Sequence, residues 1–317
     1  MVLRVKDRDA ARGVAGALLL GALAFVLLVQ YAPDSVAFSP NNYGWNGLHD
    51  VASDYNVNFT TSLSGLPTKA VLAILQPSVN CSSGDADLVR GFLLAGGKVL
   101  VADKSGVANS LLRGIGSNIT IEEQVSIGDP VYNWKAESVP TALVLPGMAS
   151  TDPFVANVSG LALNQPSPLV FSGPGPVQLA VTSQFSETQA GSRGPFAVMA
   201  SEKVGAGTLV VVGDSQFLLN SEWTVADNSV LIGNLFGNGG VFIDASHWSA
   251  SPLTSSTAQV KAGLRQAYAS ISSSPLRYVF ATALVGLALA LVPDGLTRRR
   301  EDGRPLPRPI RATEEAG

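Results

Sequence analysis

Thr208-Leu209-Val210-Val211-Val212-Gly213-Asp214-Ser215-Gln216-Phe217 is the stretch whose reading decides the fold. Leu209–Val212 has no polar interruption and three β-branched residues, which predicts a strand buried on both faces in the middle of a parallel sheet. Gly213-Asp214-Ser215 then breaks the run at the strand's carboxyl end, where open α/β sheets place their ligand crevices. Upstream, Phe196–Ser201 precedes the strand across Glu202–Gly207. The two glycines in that connection predict an antiparallel hairpin. Downstream, Asn228–Phe236 reads as a helix capped by Asp227 or Asn228, and Val241–Asp244 as a last strand.

The first half of the chain supplies the elements around this strand. Asp34–Ser39 is a short strand candidate closed by Pro40. Asn41–Gly47 is a loop of turn formers and aromatics. Leu48, Val51, Ala52 and Tyr55 fall on one helical face. Val57–Thr61 and Ala70–Leu75 read as strands. Gly84–Gly97 reads as a helix capped by Ser83 or Asp85, and Lys98–Ala102 as the next strand. Val107–Leu112 predicts a short helix and Asn118–Glu122 a further strand. This alternation predicts an α/β fold with a mostly parallel, flavodoxin-like sheet. Between Gly128 and Gly194 helical patterns vanish and short apolar runs appear at Thr141–Leu145, Pro168–Phe171 and Val177–Thr182. That composition predicts a β-rich insertion over residues 128–194.

Charge and hydropathy organise the ends. Residues 32–274 hold 10 Lys and Arg against 17 Asp and Glu, a balance of −7, whereas the two ends together balance at +4. An acidic middle excludes nucleic acid as a partner, because phosphate binding needs a concentrated basic face. Gly13–Val29 and Tyr278–Val292 are uncharged, and they predict membrane-spanning helices over 13–32 and 275–293. Arg4, Lys6, Arg8 and Arg12 precede the first, and Arg298–Arg300 follow the second. By the positive-inside rule, residues 1–12 and 294–317 are expected in the cytoplasm and the domain 33–256 outside the cell membrane. The lipid bilayer is then a partner, and Thr257–Ile271 reads as a juxtamembrane amphipathic helix within 257–274. A leader cleaved after Ser35-Val36-Ala37, leaving Phe38 first, is the rival reading of the N-terminus. Sequons at Asn58, Asn80, Asn118 and Asn157 are candidate N-glycosylation sites consistent with an exterior domain.

Candidate chemistry is sparse. A single cysteine, Cys81, excludes an intrachain disulfide and Cys-rich zinc sites. A nucleophile elbow at Ala102–Gly106 would use Ser105, but Asp103 occupies the place where that turn needs a small residue. Ser105 and Cys81 therefore read as ordinary loop residues. Gly205-Ala206-Gly207 precedes a strand and cannot present a helix N-terminus to a phosphate. The two histidines, His49 and His247, follow predicted strands, and Asp103, Asp214 and Asp244 end others. Together with Ser215 they make a candidate ligand-binding edge. Its alternative reading is a hydrolase using Asp214, His49 and His247. No metal or cofactor is expected.

The loop Pro40–Leu48, the run Gly207–Leu218 and Phe242-Ile243-Asp244-Ala245-Ser246-His247 together resemble the membrane-anchored proteins of the domain of unknown function 4350. The resemblance implies a fold like that of class I glutamine amidotransferases, also seen in extracytoplasmic domains attached to some gliding-type transporters. It implies no activity. The amidotransferase cysteine and its His-x-Glu partners have no counterpart in the sequence, and Ala245 stands where the family often carries Glu. A buried central strand ending in Gly213-Asp214-Ser215 beside a Gly- and aromatic-rich loop, with no nucleophile, leads to the expectation of a binding or accessory subunit of a membrane complex, recognising a membrane or surface protein partner or a small ligand at the sheet's carboxyl edge.

Overall fold

The computed structural model describes residues 35–249 except 238, together with residues 16, 17, 20 and 21. Helix α1 (His49–Asp54) leads to strands β1 (Val57–Thr60) and β2 (Val71–Leu75). Helix α2 (Ser83–Leu94), β3 (Lys98–Ala102) and α3 (Asn109–Ile115) follow. Short strands β4 (Ile119–Ile121), β5 (Ile127–Gly128) and β6 (Thr141–Val144) come next, then the single turn α4 (Met148–Thr151). After it lie β7 (Gly160–Ala162), β8 (Leu169–Phe171), β9 (Val177–Val181) and β10 (Glu187–Thr188). The hairpin β11 (Ala197–Val204) and β12 (Gly207–Val212), helix α5 (Asn228–Phe236) and β13 (Val241–Asp244) complete the described order.

The main sheet has nine strands in the order β1-β13-β2-β3-β12-β11-β9-β6-β7. From β1 to β12 every neighbour is parallel. From β12 to β7 every neighbour is antiparallel. This corrects the expectation of a mostly parallel, flavodoxin-like or amidotransferase-like sheet: the sheet is mixed, and β12 is the strand at which its sense changes. The physical reason lies in residues 128–194. Strands β6, β7 and β9 add onto β11, so this segment extends the main sheet instead of forming a separate insertion. The expected strand at Asn118–Glu122 leaves the main sheet as well; β4 pairs antiparallel with β8.

Burial follows the period of two that a strand imposes. Val71, Ala73, Leu75, Val210 and Val212 face one core with α1 and α5 residues such as Val51 and Leu231. Leu72, Ile74, Val99, Val101, Leu209 and Val211 face the other, with Val89 and Phe92 of α2 and Leu111 of α3. All residues of β2 and β12 are buried, as a strand covered on both faces requires. Each fully buried Leu, Ile or Val contributes roughly 1.5–3 kcal/mol. Helix α2 starts at an N-cap, Ser82, whose hydroxyl accepts from Asp85 N while Asp85 accepts from Ser82 N. This capping box moves the start one residue ahead of the Ser83 or Asp85 caps expected from sequence.

Two further expectations are corrected. Asp34–Ser39 contains no strand among its described residues; Val36–Phe38 is a turn, with Phe38 at a left-handed φ of 59°. The expectation of two membrane-spanning helices, and with it a two-pass cell-membrane location, is overturned. Among the described residues no helix is long and apolar enough to cross a membrane. Residues 13–32, apart from 16, 17, 20 and 21, lie outside the described residues, as do 1–12, 257–274, 275–293 and 294–317.

Candidate functional site

The parallel strands end along one edge, and the same device closes three of them. Asp103 follows β3, and its Oδ1 accepts from Ser105 N at 2.8 Å and Ser105 Oγ at 2.7 Å, while Oδ2 accepts from Ala108 N at 2.9 Å. Asp244 ends β13, and its Oδ1 accepts from Ser246 N at 2.9 Å and Ser246 Oγ at 2.5 Å. Asp214 follows β12, and Oδ1 accepts from Gln216 N at 2.9 Å while Oδ2 accepts from Asn164 N at 2.8 Å. Each is an Asx turn, in which a carboxylate satisfies the backbone N–H two residues on. All three side chains are buried. Burial pushes Asp214 up to about 6, against the pull of its two N–H donors and of Lys104.

Gly213 is fixed by close approach. A Cβ there would lie 2.0 Å from the Ser167 carbonyl oxygen, and Ser167 N donates to Gly213 O at 2.8 Å. Only a residue without a side chain lets the 163–167 loop seat against the end of β12. Ser215 Oγ donates to Gln76 Oε1 at 2.9 Å, tying the ends of β12 and β2.

The two histidines are separated by their partners. His49 donates from Nδ1 to the Pro40 carbonyl at 3.1 Å and packs on Tyr43, ring centroids 4.0 Å apart. His247 instead donates from Nδ1 to Asp244 Oδ2 at 2.5 Å and from Nε2 to Asp85 Oδ2 at 3.3 Å. Asp244 pushes the imidazole up to about 11, with the neighbouring Cys81 side chain adding to it. The ring is therefore an imidazolium at neutral pH. Of the expected edge residues, Asp244 and His247 meet. Asp103, Asp214 and His49 each bond elsewhere, so the hydrolase trio Asp214, His49 and His247 shares no contact. Among the described residues no group of three or more His, Cys, Asp or Glu is arranged to hold a metal ion.

The aromatic loop is rigid and exposed together. Asn42 is 3% exposed; its amide donates to Val36 O at 3.0 Å and Asn46 Oδ1 at 2.9 Å, and its oxygen accepts from Gly44 N at 2.8 Å. Asn220 braces the loop from outside, donating through Nδ2 to Asn42 O and Gly44 O. A Cβ on Gly47 would lie 1.8 Å from Asn42 O. From this frame Tyr43 and Trp45 project into solvent, 64% and 71% exposed.

The family model for the domain of unknown function DUF4350 matches residues 37–236. The chain belongs to the DUF4350 family. No curated protein matches it in sequence. Solved structures similar to this DUF4350 chain include the "mmIFT52 N-terminal domain", 17% identical, covering 55% of the chain and 78% of that one at a TM-score of 0.44. A β-galactosidase from Bacillus circulans sp. alkalophilus is 18% identical, covering 50% of the chain and 22% of the enzyme at 0.31. Cytoplasmic protein STM1381 from Salmonella typhimurium LT2 is 10% identical, covering 58% and 78% at 0.35. The chain thus spans about a fifth of the galactosidase. Likenesses this distant carry no argument about activity.

In this DUF4350 domain the matched region ends before β13, so His247 lies beyond it. The loop that holds Cys81, read from sequence as an ordinary loop residue, lies against the loop that holds His247, because β13 pairs with β2 and Ser78 N and Val79 N donate to His247 O. The available signal was Asp244-x-x-His247 after one strand and Cys81 just ahead of the Ser82-x-x-Asp85 capping box after another. Of the sequons, Asn58, Asn80 and Asn157 are exposed. Asn118 is committed, its amide donating to Glu202 Oε1 at 3.0 Å and Pro174 O at 3.3 Å.

Proposed function

We propose that this DUF4350 domain is a binding module, an accessory subunit that docks a partner protein through the aromatic loop at residues 40–47. The observation that carries this reading is the preorganised exposure of Tyr43 and Trp45. An exposed indole forgoes the burial that stabilises most large apolar side chains, and rigid, amphipathic aromatics of this kind anchor protein interfaces. The loop is held by the buried Asn42 amide and braced by Asn220, so little conformational freedom is lost when a partner binds. Asp103 and Asp214 support the same reading, since their lone pairs are spent on backbone N–H groups of the edge itself.

Photo-crosslinking from residue 45 of the full chain tests the proposal, with residue 88 as control because Leu88 is also exposed. The expected result is one discrete protein adduct from position 45, absent from position 88 and lost with Tyr43→Ala. Equal adduct patterns from the two positions would refute it.

A further inference from the structure

We propose that the amino ends of β3 and β12 hold a site for a small phosphate monoester, with two lysines on the phosphate and an apolar wall against its organic group. None of the residues involved belongs to the aromatic loop.

Register puts the cations in one row. Lys98 opens β3 and pairs with Thr208 of β12, and Thr208 pairs in turn with Lys203 of β11. Residues paired in register project from the same face of a sheet. Two ammonium groups therefore flank one hydroxyl, on strands each about 4.8 Å from the central one. Lys203 Nζ donates to Thr208 Oγ1 at 2.7 Å. Thr208 is buried, and its own hydroxyl proton is left to donate. Lys98 Nζ stands 5.8 Å from the centroid of the Phe154 ring. Among the described residues neither lysine forms an ion pair.

This row lines a cavity of about 370 Å³, a volume within the range of small-molecule sites. Pro153, Phe154 and Val177 supply apolar wall. Asn234 of α5 lines the same cavity and fixes the 153–156 segment, donating from Nδ2 to Phe154 O at 3.2 Å and Ala156 O at 2.8 Å. Two carboxylates also border it. Glu202 alternates to the other face of β11, where its Oε2 accepts from Ser117 Oγ at 2.6 Å and Asn118 N at 3.1 Å, and its Oε1 from Asn118 Nδ2 at 3.0 Å. Asp152 Oδ1 accepts from Phe154 N at 2.9 Å. With Glu202 engaged elsewhere, the two lysines outnumber the one remaining carboxylate.

The donors select the anion. Lysine presents a compact point charge that suits a tetrahedral phosphate, whereas a planar carboxylate is matched by the fork of arginine. No arginine lines the cavity among the described residues. A dianionic phosphate placed over Thr208 meets both ammonium groups and accepts from the hydroxyl between them. Its ester group then lies against Phe154 and the exposed Val177. The hairpin turn Gly205-Ala206-Gly207, which presents no helix N-terminus, serves here by bringing Lys203 back beside Thr208.

Isothermal titration calorimetry of the full chain with phenyl phosphate, and with sulfate at equal ionic strength, tests the site. Phenyl phosphate is expected to bind at least about tenfold more tightly than sulfate, because it uses the apolar wall as well as the lysines. Lys98→Met and Lys203→Met are each expected to weaken phenyl phosphate roughly tenfold. Asp152→Asn removes the opposing charge and is expected to tighten it about two- to threefold. Lys135→Met, at a lysine beside Trp134 and outside the cavity, is expected to leave it unchanged. Phenyl phosphate binding no tighter than sulfate, lysine variants that bind as the wild type does, or an equal loss in Lys135→Met overturns the proposal. The comparison of the two anions on the wild-type chain decides it even if a lysine variant fails to fold.

Discussion

Replacing Asp214 with Asn isolates the largest electrostatic cost at the strand edge. Asp214 is fully buried, and burial raises its carboxyl from 3.8 to about 6. A gap of that size corresponds to roughly 3 kcal/mol between the two protonation states. Because the folded value is raised, the native domain holds a proton that the unfolded chain has already released. The stability this confers is complete below about pH 4 and is lost as pH rises through about 6. Asn does not titrate, so the stability of the wild type relative to Asp214→Asn should fall by about 3 kcal/mol between pH 3.5 and 7.5. The variant also carries a fixed penalty. Its amide oxygen can accept from Gln216 N or Asn164 N but not both, and an NH2 facing the other N–H costs about 1–3 kcal/mol at every pH. That offset moves the whole curve and leaves its slope intact. Urea unfolding of the full chain, followed by tryptophan fluorescence at several pH values, measures the difference. A difference constant to within about 1 kcal/mol across the range would show that the two N–H donors and Lys104 outweigh burial, and the reasoning fails.

Two further outcomes follow from the same edge. Gly213→Ala drives a Cβ into the Ser167 carbonyl; the clash is with backbone, so the variant should lose about 2–4 kcal/mol, read as a lower thermal midpoint. His247 has its folded value raised from 6.5 to about 11, so the stability it confers is complete below pH 6.5 and is lost as pH rises through about 11. His247→Gln should therefore be most destabilised relative to wild type below pH 6.5, with the deficit shrinking toward alkaline pH; unfolding curves at pH 6 and pH 9.5 with equal deficits would contradict it.

Much of the fold was legible because period and burial are local properties. Val241–Asp244 and Asn228–Phe236 appear at the limits expected from sequence, and Ala70–Leu75 within one residue. Strand order was not legible. A run such as Leu209–Val212 is equally apolar whether its neighbours run parallel or antiparallel, so its composition marks a covered strand and not the sense of the sheet. The hairpin into β12 could be read, yet its consequence depends on β9, β6 and β7 joining beyond β11, a chain of nonlocal pairings no single segment encodes. The candidate sites divide in the same way. The Asp-x-Ser turns at 103–105 and 244–246 are local and were foreseeable as turn chemistry. The meeting of the loop after β2 with His247, through Ser78 N and Val79 N, joins residues far apart in sequence and depends on which strand lies beside β2. Phe38 escaped for a third reason: apolar neighbours suggest a strand, but its amide donates to Asn46 O at 3.0 Å and the chain takes a left-handed turn there. For a bulky residue that conformation is costly, of order 1–3 kcal/mol, and persists only where surrounding bonds impose it.

Strand β13 links the two candidate sites. It enters between β1 and β2, pairing parallel with both, so the last described strand completes a sheet begun by the first two. The residues it carries past its end then act in both directions. Trp248 packs against Phe38 and Phe59, with ring centroids 6.0 and 6.1 Å away, which anchors the turn leading into the aromatic loop. His247, one residue earlier, faces Asp85 at the start of α2. Pairing between strands so distant in sequence carries a large closure entropy, which is repaid only when the flanking layers are in place. The rigid aromatic loop and the oriented imidazole therefore form together, as properties of the completed sheet, and a change that loosens β13 removes both while leaving the β2-α2-β3 and β11-β12 pairings to stand.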